Sequence, residues 1–523
     1  MTSQAVRNSA LLSVAALASR ILGWVRLIVL LAAFGADGRL DPYLAAFKVP
    51  DIIYQLIAAG PLSSVLVPLV VRLRGEGDPE RAHRIISAVF LIFGLLALVV
   101  ALLALQFASG LANLLAPGVG SAAQEEVAQL LRILAPSSVG LGIVAVAGVW
   151  SAASERFIAS SVGPLLYNLS VIVFTLFGAS SIGTTAPAVG TVIGAAIFAV
   201  IALLDARGGG LRIVRPSFGD AVLVRALRSL APRIGGLLVI QLVLTGLVAA
   251  ASTLGAGSIT AWSYALSLIQ LPLAMVAGSI GTALLPVAAR VLQAEGRVGL
   301  ARVTRTTLGA SLWMLFPVAL IGALLAADPA RLVLGLDAAS AVGTLLGAAL
   351  SLLLLSLPIQ GITSVATRLC YATGDTTGPV ACSLVGAATM ALTVGPLIAL
   401  FGFSGLALAV LFGELLESLL LLLRLRVHVG GALFRDLGQP VGAVLFISLI
   451  ALAVAGLLAT ALGAMLTSET LFQRSLADVA AASAGLLSYL FLSARLGLAA
   501  ASAPLSALRH LTSSLLARIG ARS

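Results

Sequence analysis

Apolar runs of about 20 residues recur from one end of this chain to the other, and they constrain the fold more than any other feature. Each run is long enough to cross the ~30 Å hydrocarbon core of a bilayer as an α-helix. The chain has 523 residues, of which 60% are hydrophobic and only 10% are charged, and no long polar stretch leaves room for a soluble domain. The sequence therefore predicts an all-α polytopic membrane protein.

We count about fourteen spans along the chain. They cover roughly residues 9–34, 43–71, 84–107, 127–153, 158–178, 185–204, 230–253, 259–289, 304–326, 340–370, 379–400, 403–423, 440–463 and 477–496. Arginines crowd alternate loops, and the positive-inside rule then places both termini in the cytoplasm. One loop predicted to be cytoplasmic, after the tenth span, breaks the pattern because its only charged residue is Asp375.

An internal repeat relates the two halves of the chain. Residues 56–77 resemble residues 274–296 at a shift of 218 positions, which aligns Pro68 with Pro286. A second similarity pairs the Gly-Pro step at Gly163 with the one at Gly378. A repeat over six spans preserves orientation, so we expect two lobes related by a parallel pseudo-twofold axis along the membrane normal, as transporters use.

This repeat predicts three domains. They are an N-terminal six-helix lobe over 1–205, a C-terminal six-helix lobe over 206–430, and two extra transmembrane helices with a basic amphipathic tail over 431–523. The tail, over 500–522, is predicted to lie along the cytoplasmic interface.

Charged side chains inside the first two spans are the main functional signal. Arg20 and Arg26 lie in the first span, where an arginine near the bilayer centre costs at least ~2.5–3.5 kcal/mol. Lys48 and Asp51 share one face of the second span, and Asp41 lies at its outer end. One interpretation is a cationic cavity that holds an anion, since arginine binds phosphate through a bidentate fork. The alternative is structural: Arg20 pairs with an acid such as Asp51, and Lys48 snorkels.

Two further acids, Glu414 and Glu417, lie three positions apart in the twelfth span. One interpretation is structural: the acids pair with an arginine of the next loop or of a neighbouring helix. The other is functional: they form a proton- or cation-coupling site, because buried acids in transporters mark ion and proton pathways.

Other function classes are disfavoured. The net charge of +11 lies mostly in short loops between spans, which argues against a nucleic-acid partner. Two cysteines and three scattered histidines have no metal-ligand spacing, so we expect no metal and no cofactor. No nucleophile or nucleotide-binding motif is present, which argues against an enzyme. The expected partners are a lipid-linked anionic substrate and membrane lipids.

Several motifs in order along the chain resemble the MurJ/MviN family of lipid II flippases. They are ASRILGWVR, AAFGADGRLDPYLAAFKVPDII, GPLSSVLVP, GTALLPVAAR and RLCYATGDTTGPV. The resemblance implies two six-helix lobes in a bacterial cytoplasmic (inner) membrane. It implies a substrate made of undecaprenyl pyrophosphate with a disaccharide-pentapeptide. It assigns substrate-binding roles to Arg20, Arg26, Asp41 and Lys48.

Four positions depart from the family pattern. Tyr54 and Ser267 stand where the family usually carries arginines, Leu27 replaces an acid, and Ala59 replaces a glutamate. Three functions therefore stay open. The first is a lipid II flippase that works by alternating access. The second is an exporter of another polyprenyl-linked glycan. The third is a transport-dead scaffold that recruits cell-wall synthases.

Overall fold

The computed structural model describes residues 3–57, 61–337, 340–430, 432–465 and 470–498. Within these ranges the chain forms seventeen α-helices and no β-strand, which confirms the all-α prediction. The helices are α1 (Ser3–Phe34), α2 (Asp41–Ile57), α3 (Pro61–Gly75), α4 (Pro79–Gln106), α5 (Ala108–Leu115), α6 (Ser121–Ala153), α7 (Ile158–Ile182), α8 (Thr185–Gly208), α9 (Ala221–Ser252), α10 (Ser258–Leu325), α11 (Ala327–Val333), α12 (Ala341–Leu355), α13 (Leu357–Ala372), α14 (Thr377–Phe401), α15 (Ser404–Val429), α16 (Ala432–Met465) and α17 (Leu471–Arg495).

Ten helical segments in the described part of the chain are long and apolar enough to cross a membrane, or eleven if one bent pair is a single span. The protein is thus a multi-pass membrane protein. The count of fourteen stays a prediction, and the predicted interfacial tail lies outside the described residues.

Several predicted spans differ from the observed helices. The predicted span 43–71 is divided between α2 and α3, and the predicted span 340–370 is a pair, α12 and α13, bent by 44°. Pro358 lies at the start of α13 and disfavours helical backbone at the residue before it, which explains a break near Ser356. Two predicted spans share α10, which breaks at Gly296, where φ is 63° and ψ is −150°.

Two sets of helices follow each other in the same order. The order α1 to α8 recurs as α9 to α15, with α2 to α4 matched by the broken α10 and α6 by the bent pair α12–α13. A shift of 219 positions carries the bounds of α7 onto those of α14, and both helices end at a glycine, Gly183 or Gly402, with a φ of 57°. The helix order supports the predicted repeat, and the pseudo-twofold axis stays a prediction.

The helices group into two compact units, Met1–Thr260 and Ala261–Ser523. In the first unit α6 packs against α8, α4 and α2, and α9 packs against α2 and α3. In the second, α14 packs against α15, while Trp313 of α10 donates a 3.0 Å hydrogen bond to Ser493 of α17. The boundaries at 205 and 430 follow the repeat and stay predictions. The contact-based boundary lies later than 205 because α9 packs on the first unit.

Candidate functional site

A cavity of about 300 Å³ lies inside the first unit, and residues of α1, α2, α6, α7 and α8 line it. Helix-bending residues surround it: Gly23 in α1, Pro50 in α2 and Pro164 in α7. A proline within a helix removes one backbone hydrogen bond and bends the helix. The lining residues are Ser19, Gly23, Arg26, Phe47, Pro50, Asp51, Tyr54, Gln55, Leu141, Pro164, Tyr167, Asn168 and Phe198. We call it the Arg26 cavity.

Arg26 is the cation of this cavity. Its guanidinium carbon lies 5.9 Å from the centroid of the Phe47 ring, a distance at which the ring face attracts a cation. Its Nε is buried and has no hydrogen-bond partner among the described residues. A buried donor without an acceptor costs roughly 1–3 kcal/mol, so an acceptor from outside the chain, either water or a ligand, would stabilise the site.

Asp51 lies in the same cavity and carries the compensating charge. It forms an ion pair with Lys48, with 3.6 Å between Nζ and Oδ2, and both side chains are about three-quarters buried. Lys48 itself does not line the cavity. The structure therefore brings together Arg26 and Asp51, with Lys48 directly behind the acid.

Arg20 and Asp41 lie away from the cavity lining. Arg20 is exposed, whereas its neighbours Ser19 and Gly23 line the cavity. The predicted pairing of Arg20 with Asp51 is absent among the described contacts, since Asp51 pairs with Lys48. The predicted substrate-binding roles of Arg20, Arg26, Asp41 and Lys48 stay predictions, as does a cavity between the lobes.

Asp41 is buried and its carboxylate is already occupied. It accepts hydrogen bonds from the backbone N–H of Gly257 at 2.7 Å and of Thr260 at 2.8 Å, and from the Thr260 hydroxyl at 2.5 Å. Gly257 lies directly before α10 and Thr260 lies in its first turn, where a carboxylate satisfies free N–H groups and meets the positive end of the helix dipole. The contacts favour a structural role, which holds α2 against the start of α10.

Sequence reasoning missed the uncharged polar residues of the cavity. Tyr167, Asn168 and Gln55 all line it, and each is an uncharged residue within a predominantly apolar run. Asn168 donates a 2.9 Å hydrogen bond to the carbonyl of Pro164, one turn earlier. The available signal was the proline four positions before a buried amide, because proline bends the helix and changes the hydrogen bonding of that turn.

The two acids of the twelfth predicted span lie on α15. Glu417 is buried and accepts a hydrogen bond from the Ser383 hydroxyl of α14, while Glu414 is partly buried. The two helices approach closely there, since a Cβ added to Gly386 would lie 2.9 Å from the Glu417 Cβ. Neither acid forms an ion pair with a described residue, and Arg424, an arginine near the end of α15, pairs with Asp375.

A family model described as lipid II flippase MurJ matches residues 30–475. The chain belongs to the MurJ family of lipid II flippases. Members of this family are transporters, so the chain is not an enzyme. The membership confirms the family that the sequence motifs indicate.

Individual members of the MurJ family resemble the chain over much of its length. It is 27% identical over 407 residues to a probable lipid II flippase MurJ of Rhizobium tropici, with 76% of each chain covered. It is 28% identical over 287 residues to the corresponding protein of Haemophilus influenzae, which covers 52% of this chain and 56% of the relative.

Solved structures show the same fold. A lipid II flippase MurJ in an inward closed conformation matches with a TM-score of 0.77 at 23% identity and covers 93% of this chain and 98% of that one. An inward-facing multidrug resistance transporter of the MATE family matches with a TM-score of 0.66 at 16% identity and covers 80% of this chain and 96% of that one.

The two positions where the MurJ pattern has arginines, Tyr54 and Ser267, have different structural settings. Tyr54 lines the Arg26 cavity, so an aromatic hydroxyl stands where an arginine is expected. Ser267 donates a 2.8 Å hydrogen bond to the carbonyl of Ser263 in its own helix. Arg26 is therefore the one arginine among the residues that line this cavity.

Proposed function

We propose that this MurJ-family member moves lipid II across the bacterial cytoplasmic membrane by alternating access. The proposal rests on the Nε of Arg26, which is buried in the Arg26 cavity and has no hydrogen-bond partner among the described residues. We propose that both termini lie in the cytoplasm, so that the substrate enters from that side.

Arg26 is proposed to bind the pyrophosphate of the substrate. A guanidinium forms two parallel charge-assisted hydrogen bonds to phosphate oxygens, and the low dielectric of the cavity strengthens them. Asp51 keeps the free cavity from carrying excess positive charge, and the nearby Lys48 offsets that acid when an anion arrives. The pocket volume of 300 Å³ is at the small end of the range for ligand sites, so it holds part of the substrate only.

Glu417 and Glu414 are proposed to couple transport to an ion gradient. The chain has no nucleotide-binding loop, so the energy comes from a gradient, the membrane potential or substrate flux. Glu417 lies where α14 and α15 approach closely, and its one hydrogen-bond partner among the described residues is the Ser383 hydroxyl. Gain or loss of a proton by this carboxyl changes the charge between the two helices. That change is the kind of event that biases a two-state transporter.

Complementation tests this function. In a bacterium depleted of its own lipid II flippase, the wild-type chain should restore growth. Arg26→Ala should lose all rescue at normal protein levels, and Arg26→Lys should rescue in part, because lysine keeps the charge but loses the fork. Arg132→Ala is the matched control, since Arg132 is exposed and pairs with Glu125.

Rescue separates the first function from the other two. Full rescue by Arg26→Ala would show that lipid II transport does not need this side chain and would make Arg26 structural. A wild-type chain that inserts and folds but never rescues would exclude lipid II as cargo and leave another polyprenyl-linked glycan or the transport-dead scaffold.

A further inference from the structure

A second cavity, of about 730 Å³, lies in the first unit near the ends of α1 and α7, and the proposed transport step does not use it. We call it the α1–α7 crevice. Apolar side chains form its walls: Ile28, Val29, Ala32 and Ala33 from α1, and Leu176 and Ala179 from α7. The alanines make the space, because longer side chains at these positions would fill it.

The crevice is long enough to hold the part of an acyl chain that lies next to the lipid headgroup. It follows α1 from Ile28 to Phe34 and α7 from Thr175 to beyond its end at Ile182, which is about 10 Å at 1.5 Å per residue. That is roughly a third of the ~30 Å hydrocarbon core. Ala32 and Ala33 are exposed, so the apolar walls open to the surrounding bilayer.

The rim of the crevice carries charges of both signs. Arg39 donates through Nε to Asp37 at 2.8 Å, and its two terminal amino groups make no hydrogen bond to any described residue. On the same rim, one oxygen of Glu126 accepts from the Thr184 hydroxyl, and the other has no donor in the described part of the chain. Arg39 and Glu126 do not form an ion pair with each other, so each keeps a free hydrogen-bonding edge.

We infer that the α1–α7 crevice binds a bilayer phospholipid whose headgroup carries both a phosphate and a primary ammonium. The phosphate lies on the terminal amino groups of Arg39, the ammonium on the free oxygen of Glu126, and one acyl chain between α1 and α7. The charges of Arg39, Asp37 and Glu126 sum to minus one, which disfavours a lipid with net negative charge. A quaternary ammonium has no N–H to donate to Glu126, which disfavours choline.

The position of the crevice links it to the Arg26 cavity. The same two helices line both, since α1 contributes Arg26 and α7 contributes Tyr167 to the cavity. A lipid between α1 and α7 therefore fixes the spacing of the two helices that hold the cavity open.

Lipid binding to the purified, delipidated full-length chain tests this inference. Phosphatidylethanolamine, phosphatidylcholine and phosphatidylglycerol are added separately, and bound copies and the thermal midpoint are measured. Phosphatidylethanolamine should bind most tightly and raise the midpoint most. Glu126→Gln should weaken its binding by roughly tenfold, the value of one charge-assisted hydrogen bond. Glu125→Gln should change nothing, because Glu125 is exposed and pairs with Arg132.

A second pair of variants tests the apolar walls. Ala33→Leu with Ala179→Leu should remove one bound lipid per chain, whereas Ala196→Leu, at an exposed position outside the crevice, should keep it. Equal binding of the three lipids, or tighter binding of phosphatidylglycerol, would overturn the inference. Equal effects of Glu126→Gln and Glu125→Gln would also overturn it, whether or not the double leucine variant folds.

Discussion

The loop between α6 and α7 and the loop between α13 and α14 carry the same ion pair with its charges exchanged. In the first unit Arg156 lies in the loop and Asp205 near the end of α8, with 3.0 Å between Nε and Oδ1. In the second unit the loop supplies Asp375 and the end of α15 supplies Arg424. A shift of 219 positions carries Arg156 to Asp375 and Asp205 to Arg424. The contact recurs in both halves, although each of its two positions carries the opposite charge in the other half.

The acid of each pair also satisfies the start of the following helix. Asp205 accepts a 3.1 Å hydrogen bond from the Ala159 N–H of α7, and Asp375 accepts a 2.9 Å bond from the Gly378 N–H of α14. These two N–H groups are related by the same shift. In both halves the acid therefore binds the arginine and the start of the following helix. This holds whether the acid lies in the loop, as Asp375 does, or on the neighbouring helix, as Asp205 does.

The exchange of charges accounts for two anomalies of the sequence. The loop that holds Asp375 breaks the positive-inside pattern because the arginine of its ion pair, Arg424, lies on α15 and not in the loop. Gly378 does not correspond to Gly163, as the Gly-Pro similarity predicted, because the helix bounds relate it to Ala159. Gly378 is needed for a local reason: a Cβ there would lie 1.7 Å from the Arg424 Nε.

Removal of the buried acid of the first unit should have the largest effect on stability. The Asp205 side chain is 1% exposed and holds both Arg156 and the Ala159 N–H. Asp205→Asn should lower the free energy of unfolding by about 2–3 kcal/mol, because the buried side chain loses its charge-assisted hydrogen bonds to Arg156 and to the Ala159 N–H. Denaturation in detergent measures this loss. Glu76→Gln, in an exposed pair with Arg72, is the control and should change stability by less than ~1 kcal/mol.

Gly378→Ala should break the pair of the second unit. The added methyl group must displace Arg424 from Asp375, which is overpacking with a typical cost of about 1–3 kcal/mol. The reverse change in the first unit, Ala159→Gly, should cost no more than ~1 kcal/mol, the helix-propensity difference. Gly94→Ala is the control, since no atom lies within 4 Å of its added Cβ. Equal stability of the Gly378 and Gly94 variants would contradict the proposed steric role.

Acid should weaken the second unit through Asp375. The Arg424 guanidinium holds the pKa of Asp375 below its usual value, so the carboxylate contributes stability above that value. The contribution is lost as the pH falls from about 4 through the lowered pKa. Asp375→Asn should flatten this part of the stability curve. Some acid dependence should remain, because Arg81 lowers the pKa of Asp220 in the first unit. An unchanged acid slope would show that Asp375 is not linked to folding.

The two halves also carry different residue types at the positions of Glu417 and its partner Ser383. The shift of 219 relates Pro164 and Phe198, which line the Arg26 cavity, to Ser383 and Glu417, which bond to each other. Glu414→Gln with Glu417→Gln should therefore weaken the dependence of transport on pH or ion gradient, with little loss of stability, since glutamine still accepts from Ser383. Glu295→Gln, in an exposed pair, is the control. Unchanged gradient dependence in a folded double variant would make the acids structural.

The sequence predicted charges better than it predicted geometry. Arg26 was found because an arginine inside an apolar run needs a reason to be there. Tyr167 and Asn168 were missed because uncharged polar residues are common in spans and carry no charge that needs a partner. The cap that Asp41 forms on α10 could not be predicted, because its donors lie more than 200 residues away. The break near Ser356 was missed because the apolar run continues through it.

Both exchanged ion pairs should lie on the same side of the membrane. Cysteine labelling tests this topology without a measurement of transport. If both loops are cytoplasmic, cysteines at the exposed positions Ser160 and Thr376, beside the two pairs, should react with a membrane-impermeant maleimide only after the cells are opened. Ser181 and Thr253 are exposed at the C-terminal ends of α7 and α9, on the predicted outer side. Cysteines there should react in intact cells. Ser258 is unsuitable as a label site because it is fully buried. The native Cys370 and Cys382 are buried and should give little background. Labelling of Ser160 and Thr376 from opposite sides would mean that the pairs are unrelated, because a repeat of six spans must keep them on the same side.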